Sequence, residues 1–447
     1  MRIVYTLILL TVWSVSSYGQ LKEDTSKMDS ILKVEKNTFK QIFEKELASG
    51  KCYQVLEKLC NDIGGRLSGS PEAAKAVRYM KRVMESYKFD TVYLQPVMVP
   101  HWVRGEKETA YFTSGTDQIR VNICALGGSI GTNGKELSAK VIEVNSVEEL
   151  KGLDNSDVKG RIVFFNGAMN PTYVRTFHAY SESGAQRWTG PWVAQEKGAV
   201  GVIVRSLTTI VDKNPHTGSM GSREDNQGIP SAAISTYHAN QLHRTLKVNP
   251  NVEFTYQMNC ETLPDTLSYN VIGEIYGTEK PEEIVVIGGH LDAWDNGDGA
   301  HDDGAGCVQS IEVLRLFKSL DLKPKRTVRA VLFMNEENGL KGGKAFADSV
   351  KSKNENVIAA IESDAGGFTP RYFVCQTHDH RLQKVASWLP LFKPYNIYAI
   401  EYGHGGADIS PLDAEKTLLI GYRPDSQRYF DYHHAATDKF EVINQRG

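Results

Sequence analysis

The chain has 447 residues, of which 41% are hydrophobic and 23% are charged, and its formal net charge is −3. This length exceeds that of one ordinary domain, and the hydrophobic content is enough for two well-formed cores, so we expect two domains. The charges are interspersed and slightly acidic in balance. This argues against a nucleic acid or an anionic membrane as a partner, because either would favour a basic surface.

Residues 1–19 have the pattern of a signal peptide. The charged start Met1-Arg2 precedes an apolar run, residues 3–12, and small residues follow it. We therefore expect a mature chain that begins near Gln20 and is secreted or periplasmic. A bilayer-spanning helix needs about 20 apolar residues, so this shorter run does not predict a membrane span.

Two helices are predicted in the next part of the chain. The first is indicated by a stripe of apolar residues: Ile31, Phe39, Ile42, Phe43 and Leu47. Ser70 and Pro71 indicate the start of the second, because serine is a favourable N-cap and proline is favoured in the first turn. We expect both helices to cover the sheet of the first domain.

Residues 101–261 are predicted to form an inserted module. Three apolar runs within it are typical of short buried strands: residues 159–165, 198–204 and 229–234. The strands that precede the polar clusters start only near Asn270, so this module interrupts the other domain. We therefore expect a discontinuous domain made of residues 20–100 and 262–447.

A predicted strand ends at His290. Residues 284–287 are apolar without interruption, which is typical of a strand buried on both faces. His290 therefore lies at the carboxyl end of a strand, the edge at which open α/β sheets bind ligands. Asp292 follows closely, so its carboxylate can accept the second imidazole N–H and fix the tautomer of a ligating histidine.

Carboxylates also follow this strand and the next predicted strands. Asp302 precedes a predicted helix and can bridge two metal ions there. The next apolar strand ends at Glu336 and Glu337, which point in different directions, and a third strand delivers Asp364. Carboxylate and imidazole groups are the ligands that catalytic zinc prefers, so the pattern predicts a pair of zinc ions.

Two other interpretations of the acidic region fit the residues less well. A calcium loop could use Asp292, Asp295 and Asp298, but it lacks a closing glutamate and leaves His290 unexplained. A phosphate-binding loop could use the nearby glycines. No Lys-Ser/Thr follows them, however, and the aspartates would repel phosphate.

Taken together, these motifs resemble the co-catalytic di-zinc exopeptidases, a family that includes bacterial leucyl aminopeptidases, and the carboxypeptidase Q group is the most similar in pattern. The resemblance extends from residues 64–70 through residues 270–274 to His434. It implies an α/β fold with a mixed sheet flanked by helices. It also implies that the inserted module is similar to a protease-associated domain.

The resemblance implies five metal ligands. Asp302 bridges both zinc ions. His290 and Glu337 then complete one site, while Asp364 and His434 complete the other.

The resemblance also decides between two histidines and assigns roles to three further residues. His434 is preferred to its neighbour His433, because the family's last histidine ligand lies four residues before an aspartate, here Asp438. Glu336 becomes the general base. Asp292 and Asp438 are expected to support the ligands without binding metal.

The predicted function is hydrolysis of dipeptides or short peptides with a free amino terminus, by a metal-activated water and a glutamate base. A non-catalytic relative would have lost ligands or the base, whereas this chain retains them all. A di-zinc amidohydrolase of another type, such as a glutaminyl cyclase or an aminoacylase-like enzyme, would share the metal site and is the alternative. The expected partners are two zinc ions and a short peptide, with a homodimer left open.

Overall fold

The computed structural model describes residues 33–221 and 228–446. The predicted signal peptide, residues 1–19, therefore lies outside the described residues. Within the described part of the chain, no helix has both the length and the apolar character needed to cross a membrane.

The regular elements are as follows. The strands are β1 (Thr91–Val103), β2 (Thr109–Ser114), β3 (Asp117–Arg120), β4 (Ile123–Ala125), β5 (Leu137–Val144), β6 (Ile162–Phe165), β7 (Gly201–Arg205), β8 (Ser231–Ile234), β9 (Glu253–Gln257), β10 (Glu261–Ile275), β11 (Lys280–His290), β12 (Arg326–Phe333), β13 (Asn356–Ser363), β14 (Pro370–Cys375), β15 (Ala399–Tyr402) and β16 (Leu418–Pro424). The α-helices are α1 (residues 33–49), α2 (Cys52–Asp62), α3 (Pro71–Ser86), α4 (Val147–Gly152), α5 (Asn155–Val158), α6 (Thr176–Ser183), α7 (Ala185–Trp188), α8 (Gly190–Glu196), α9 (Thr236–Val248), α10 (Ala305–Ser319), α11 (Lys341–Ser352), α12 (His380–Ala386) and α13 (Leu389–Phe392).

The first sheet is mixed and has eight strands in the order β1-β10-β12-β11-β13-β16-β14-β15. Its centre is parallel: β11 pairs with β12 and β13, and β13 pairs with β16. The carboxyl ends of these strands therefore meet at one edge. The predicted fold class, a mixed sheet flanked by helices, is confirmed.

Helices cover both faces of this sheet, because successive strand residues point to opposite sides. Leu332 packs with α2, α3 and α10, whereas its neighbour Phe333 packs on the other face against Phe346 of α11. The predicted helix start at Pro71 is confirmed, since the Ser70 hydroxyl accepts a hydrogen bond from the Ala73 N–H at 3.0 Å.

The second sheet also has eight strands and uses only residues 109–257, in the order β3-β2-β9-β5-β6-β7-β8-β4. The three apolar runs expected to be strands contain β6, β7 and β8. The expected limits of the inserted module, 101 and 261, fall inside the pair of β1 and β10, where Val103 lies opposite Glu261. The segment that connects β1 to β10 is therefore 104–260, and it contains the whole of the second sheet.

Helix α10 approaches the first sheet through a glycine. A Cβ atom on Gly306 would lie 1.8 Å from the carbonyl oxygen of Ser363 on β13 and 2.5 Å from both carboxylate oxygens of Asp303. Two of these three neighbours belong to a buried carboxylate and the third to the backbone, so none can move aside freely. Glycine is therefore required where the helix meets the strand.

We expect Gly306→Ala to lower the free energy of unfolding by about 1–3 kcal/mol or more, because overpacking forces backbone shifts. Gly152 at the end of α4 is the matched control, since a Cβ atom there would have nothing within 4 Å. Gly152→Ala should stay within about 1 kcal/mol of the parent. Urea denaturation at fixed zinc concentration measures both, and equal midpoints for the two variants would contradict the packing argument.

Candidate metal centre

The candidate ligands converge at the carboxyl edge of the first sheet. His290 is the last residue of β11, while Glu337 and Asp364 follow β12 and β13. Asp302 lies in the turn before α10, and His434 lies in the segment after β16. The parallel pairing of the strands therefore brings together residues that are distant in sequence.

The ligand atoms form two groups that share Asp302. In the first, His290 Nε2 lies 3.2 Å from Asp302 Oδ1 and 3.6 Å from Asp364 Oδ1. In the second, His434 Nε2 lies 3.3 Å from Asp302 Oδ2 and 3.1 Å from Glu337 Oε2. Each oxygen of Asp302 thus faces one group, as a bridging carboxylate would.

The expected pairing of ligands was wrong. His290 lies with Asp364, and His434 lies with Glu337, rather than the reverse. Strands β12 and β13 both neighbour β11, so strand order alone leaves the pairing open. The turn after β12 determines the pairing, because this turn directs Glu337 toward the segment that carries His434.

These groups fit a metal of zinc's chemistry. Ligand atoms of a tetrahedral zinc site with bonds of about 2.0–2.2 Å lie roughly 3.3–3.6 Å apart, close to the separations seen here. In addition, Asp302 Oδ2 and Glu337 Oε1 are buried and accept no hydrogen bond within the described chain. Buried carboxylate oxygens without donors are costly, and a bound cation would offset this cost.

Both imidazoles are oriented with Nε2 toward the carboxylates. His290 Nδ1 lies 3.0 Å from the carbonyl oxygen of Asp292, and His434 Nδ1 lies 3.2 Å from the carbonyl oxygen of Thr217. Donation from Nδ1 to a carbonyl fixes the tautomer that leaves the Nε2 lone pair free. The expectation that the Asp292 carboxylate would accept from His290 was wrong, since its Oδ1 is 4.0 Å from Nδ1.

The Asp292 carboxylate instead holds the turn after β12. It accepts hydrogen bonds from the backbone N–H groups of Asn335 at 2.6 Å, Glu336 at 3.1 Å and Glu337 at 3.3 Å. Asn335 has a φ of 74°, a left-handed conformation that asparagine tolerates better than most residues. One buried carboxylate therefore positions both the candidate base and a candidate ligand.

Two more acids fix the backbone beside the ligands. Asp438 accepts from the N–H groups of His301 at 2.8 Å and Asp302 at 3.0 Å. Asp303, which the sequence did not single out, accepts from the N–H groups of His290 and Gly306, each at 3.0 Å. Two features of the sequence could have indicated Asp303: it is adjacent to Asp302, and it lies in a region rich in glycine.

Glu336 is partly buried on the wall of a cavity of about 570 Å³ that also reaches Asp302 and Asp364. Burial raises the pKa of Glu336 to about 8, although the nearby His290 acts in the opposite direction. His433 lies close as well: its Nε2 is 3.7 Å from Asp302 Oδ2, and its ring stacks on His434 with centroids 3.5 Å apart.

Residues of the segment 104–260 complete the surroundings. The Thr217 N–H donates to the carbonyl of His434 at 3.0 Å, and the Ser219 hydroxyl donates to the carbonyl of Glu337 at 2.7 Å. Arg187 Nη1 donates to the Thr217 carbonyl at 3.2 Å. Sequence analysis missed all three, because no local motif connects them with the ligands.

Comparison with known proteins identifies relatives over most of the chain. Residues 270–447 match the description Peptidase family M28. Carboxypeptidase Q of Xenopus laevis is 34% identical over 395 residues, covering 88% of this chain and 82% of the relative. Carboxypeptidase Q of Homo sapiens is 31% identical over 434 residues, covering 97% and 89%.

Solved structures of similar fold support the same family assignment. The crystal structure of a peptidase M28 precursor from Shewanella amazonensis SB2B has a TM-score of 0.88 at 34% identity and covers 93% of each chain. An aminopeptidase from Aneurinibacillus sp. strain AM-1 shares the fold, with a TM-score of 0.60 at 21% identity over 91% of this chain and 92% of that chain. This chain therefore belongs to peptidase family M28 and is a zinc metallopeptidase.

Proposed function

We propose that this chain is an exopeptidase that hydrolyses dipeptides and other short peptides with a free amino terminus. The observation that supports it most strongly is the pair of ligand groups sharing Asp302, with Glu336 beside them on a cavity wall. The names of these proteins fit the proposal. Relatives are named carboxypeptidase Q and a structural neighbour is named aminopeptidase, and each name describes an exopeptidase.

The cluster has side chains for two zinc ions. His290, Asp302 and Asp364 would hold one, and Asp302, Glu337 and His434 would hold the other. Bound at these ligands, zinc supplies a Lewis acid and a water that is easier to deprotonate.

Glu336 acts as the general base. Its carboxylate takes a proton from the attacking water and returns it to the amine that leaves. The Asp292 carboxylate keeps the backbone of Glu336 in place through the N–H bond at 3.1 Å, so the base needs no rearrangement to reach the water.

Residues 104–260 are proposed to form an inserted domain that closes the cavity. Its side chains Tyr180, Arg187 and Trp188 line the wall shared with Glu336. A volume of about 570 Å³ lies in the range of small-ligand sites, and this favours a short substrate over a folded protein.

The metal assignment predicts different zinc contents for two variants. Asp302→Ala should lose both zinc ions because a bridging carboxylate serves each site, whereas His434→Ala should weaken mainly one. His404→Ala is the control, since His404 is exposed and does not line the cavity. Elemental analysis and competition with a chelator measure the content. Absence of zinc from the purified parent, with no activity recovered on adding it, would remove the basis of the assignment.

Substitution of each neighbouring glutamate in turn should distinguish the general base from the metal ligand. Glu336→Gln keeps shape and zinc but removes the proton acceptor, so we expect turnover to fall by roughly 10²–10⁴-fold or more at unchanged zinc content. Glu337→Gln should lose zinc affinity together with rate. If Glu336→Gln sheds zinc or keeps near-normal turnover, the two roles are assigned to the wrong residues.

A substrate panel tests the function itself. The zinc-loaded protein is assayed against dipeptides with a free amino group, N-acylated amino acids and N-terminal glutaminyl peptides. We expect hydrolysis of the first group. Hydrolysis of N-acylated amino acids alone, or cyclisation of the glutaminyl peptides, would instead identify an amidohydrolase of another type.

A further inference from the structure

His433 is a buried histidine beside the candidate ligands, and only 7% of it is exposed. Its backbone is paired: the N–H donates to the carbonyl of Tyr429 at 2.9 Å, and the carbonyl accepts from His216 Nδ1 at 2.8 Å. Neither nitrogen of its ring makes a hydrogen bond to another described residue. The ring nitrogens therefore have no hydrogen-bond partner in the described part of the chain.

Three aromatic rings enclose this imidazole. The rings of Tyr180 and Phe430 meet it at steep angles with centroids 5.0 Å away, and the ring of Tyr429 lies at 5.2 Å. These contacts fix the plane of the imidazole and keep its Nε2 3.7 Å from Asp302 Oδ2. A phenylalanine would fill such an enclosure equally well, whereas burying a polar nitrogen without a partner costs free energy. Packing alone therefore does not explain a histidine at position 433.

An unusual backbone conformation brings two imidazoles to the same side of the chain. His434 has a φ of 60°, in the left-handed region that few non-glycine residues adopt. The rings of His433 and His434 stack there with centroids 3.5 Å apart and planes 21° apart. Thr217 holds this conformation, because its N–H donates to the His434 carbonyl at 3.0 Å and its own carbonyl lies 3.2 Å from His434 Nδ1. Strained backbone of this kind concentrates at functional sites.

With His433 included, the second ligand group has four donors. Asp302, His433 and His434 each offer one atom, and these three atoms all lie within 4.8 Å of one another. Glu337 Oε2, which is 3.1 Å from His434 Nε2, is the fourth donor. Zinc is almost always four-coordinate where a protein supplies all of its ligands, whereas three protein ligands leave one position open. The second group can therefore complete a zinc site, while the first group cannot.

We propose that His433 is a further metal ligand, the fourth of the second group. The inference rests on the zinc pair of the proposed function and adds one residue to its ligand set. Imidazole suits zinc better than it suits harder cations such as Mg²⁺ or Mn²⁺, for which carboxylates are the better ligands. The second group, with two imidazoles and four donors, therefore holds zinc more tightly than the first group, with one imidazole and three donors.

A crystal structure of the zinc-loaded parent tests the proposal without a variant. Anomalous scattering at the zinc edge locates the ions. We expect His433 Nε2 at about 2.0–2.1 Å from the second ion. A nitrogen more than roughly 3 Å from both ions would overturn the proposal, because no bond to zinc is that long. Absence of both ions from the cluster would overturn the zinc assignment itself, and the role of His433 with it.

His433→Phe provides the second test, because it keeps the packing of the ring and removes its nitrogens. Competition with a chelator should show affinity for one zinc ion falling by roughly 100-fold or more, beyond the effect of a residue that only supports a ligand. The other ion should be held as in the parent. His404→Phe is the matched loss of an imidazole, since His404 is exposed and does not line the cavity, and it should keep both affinities.

Added imidazole distinguishes a ligand from a positioning residue. In His433→Ala, free imidazole can enter the vacated space and supply the missing nitrogen, so part of the lost zinc affinity should return. If His433→Phe binds both zinc ions as tightly as the parent, the ring of His433 only packs against its neighbours. If affinity falls but imidazole restores none of it in His433→Ala, the ring positions His434 and does not bind metal. Either result contradicts the proposal.

Discussion

Many carboxylates are buried at one sheet edge, and the way each is compensated determines the architecture of the site. Three of them, Asp292, Asp303 and Asp438, accept hydrogen bonds from backbone N–H groups of neighbouring turns. Burial raises the pKa of all five carboxyls, but among them Asp302 and Glu337 each keep a buried oxygen that has no donor in the described part of the chain. Like charges this close in a low-dielectric interior repel strongly. The first three acids therefore hold the surrounding backbone, while a bound cation would compensate the other two.

The segment that contains the second sheet also contacts this cluster. The segment from His216 to Ser219 pairs with the backbone around His434, and its hydroxyl and carbonyl groups reach both a ligand histidine and the carbonyl of Glu337. Acids near the first sheet thus support the cluster on one side. Neutral polar groups of residues 216–219 support it on the other. The guanidinium of Arg187 comes within 3.4 Å of His434 Nδ1, and Gly218 leaves room for this approach, because a Cβ atom there would lie 2.3 Å from Nη1.

The sequence was informative wherever a candidate site residue directly follows an apolar strand. His290, Glu337 and Asp364 could be anticipated because buried parallel strands end at a common edge. The pairing of the ligands could not, since it depends on the direction of the turn held by Asp292. Nor could Thr217 and Arg187, which reach His434 across 217 and 247 residues respectively without a periodic or local signal. The limits of the inserted segment remain a prediction, and the pairing of β1 with β10 extends to Val103 and Glu261 beside the predicted limits.

The contact between Thr217 and His434 has a consequence for biosynthesis. A candidate ligand and the carbonyl that orients it are 217 residues apart in sequence, so the centre cannot assemble before both segments have been synthesised. Contacts of such long range form late in folding, after the segments that they join have been made. The hydrolytic activity of the chain therefore depends on a contact that can form only after the segments around Thr217 and His434 have both been made.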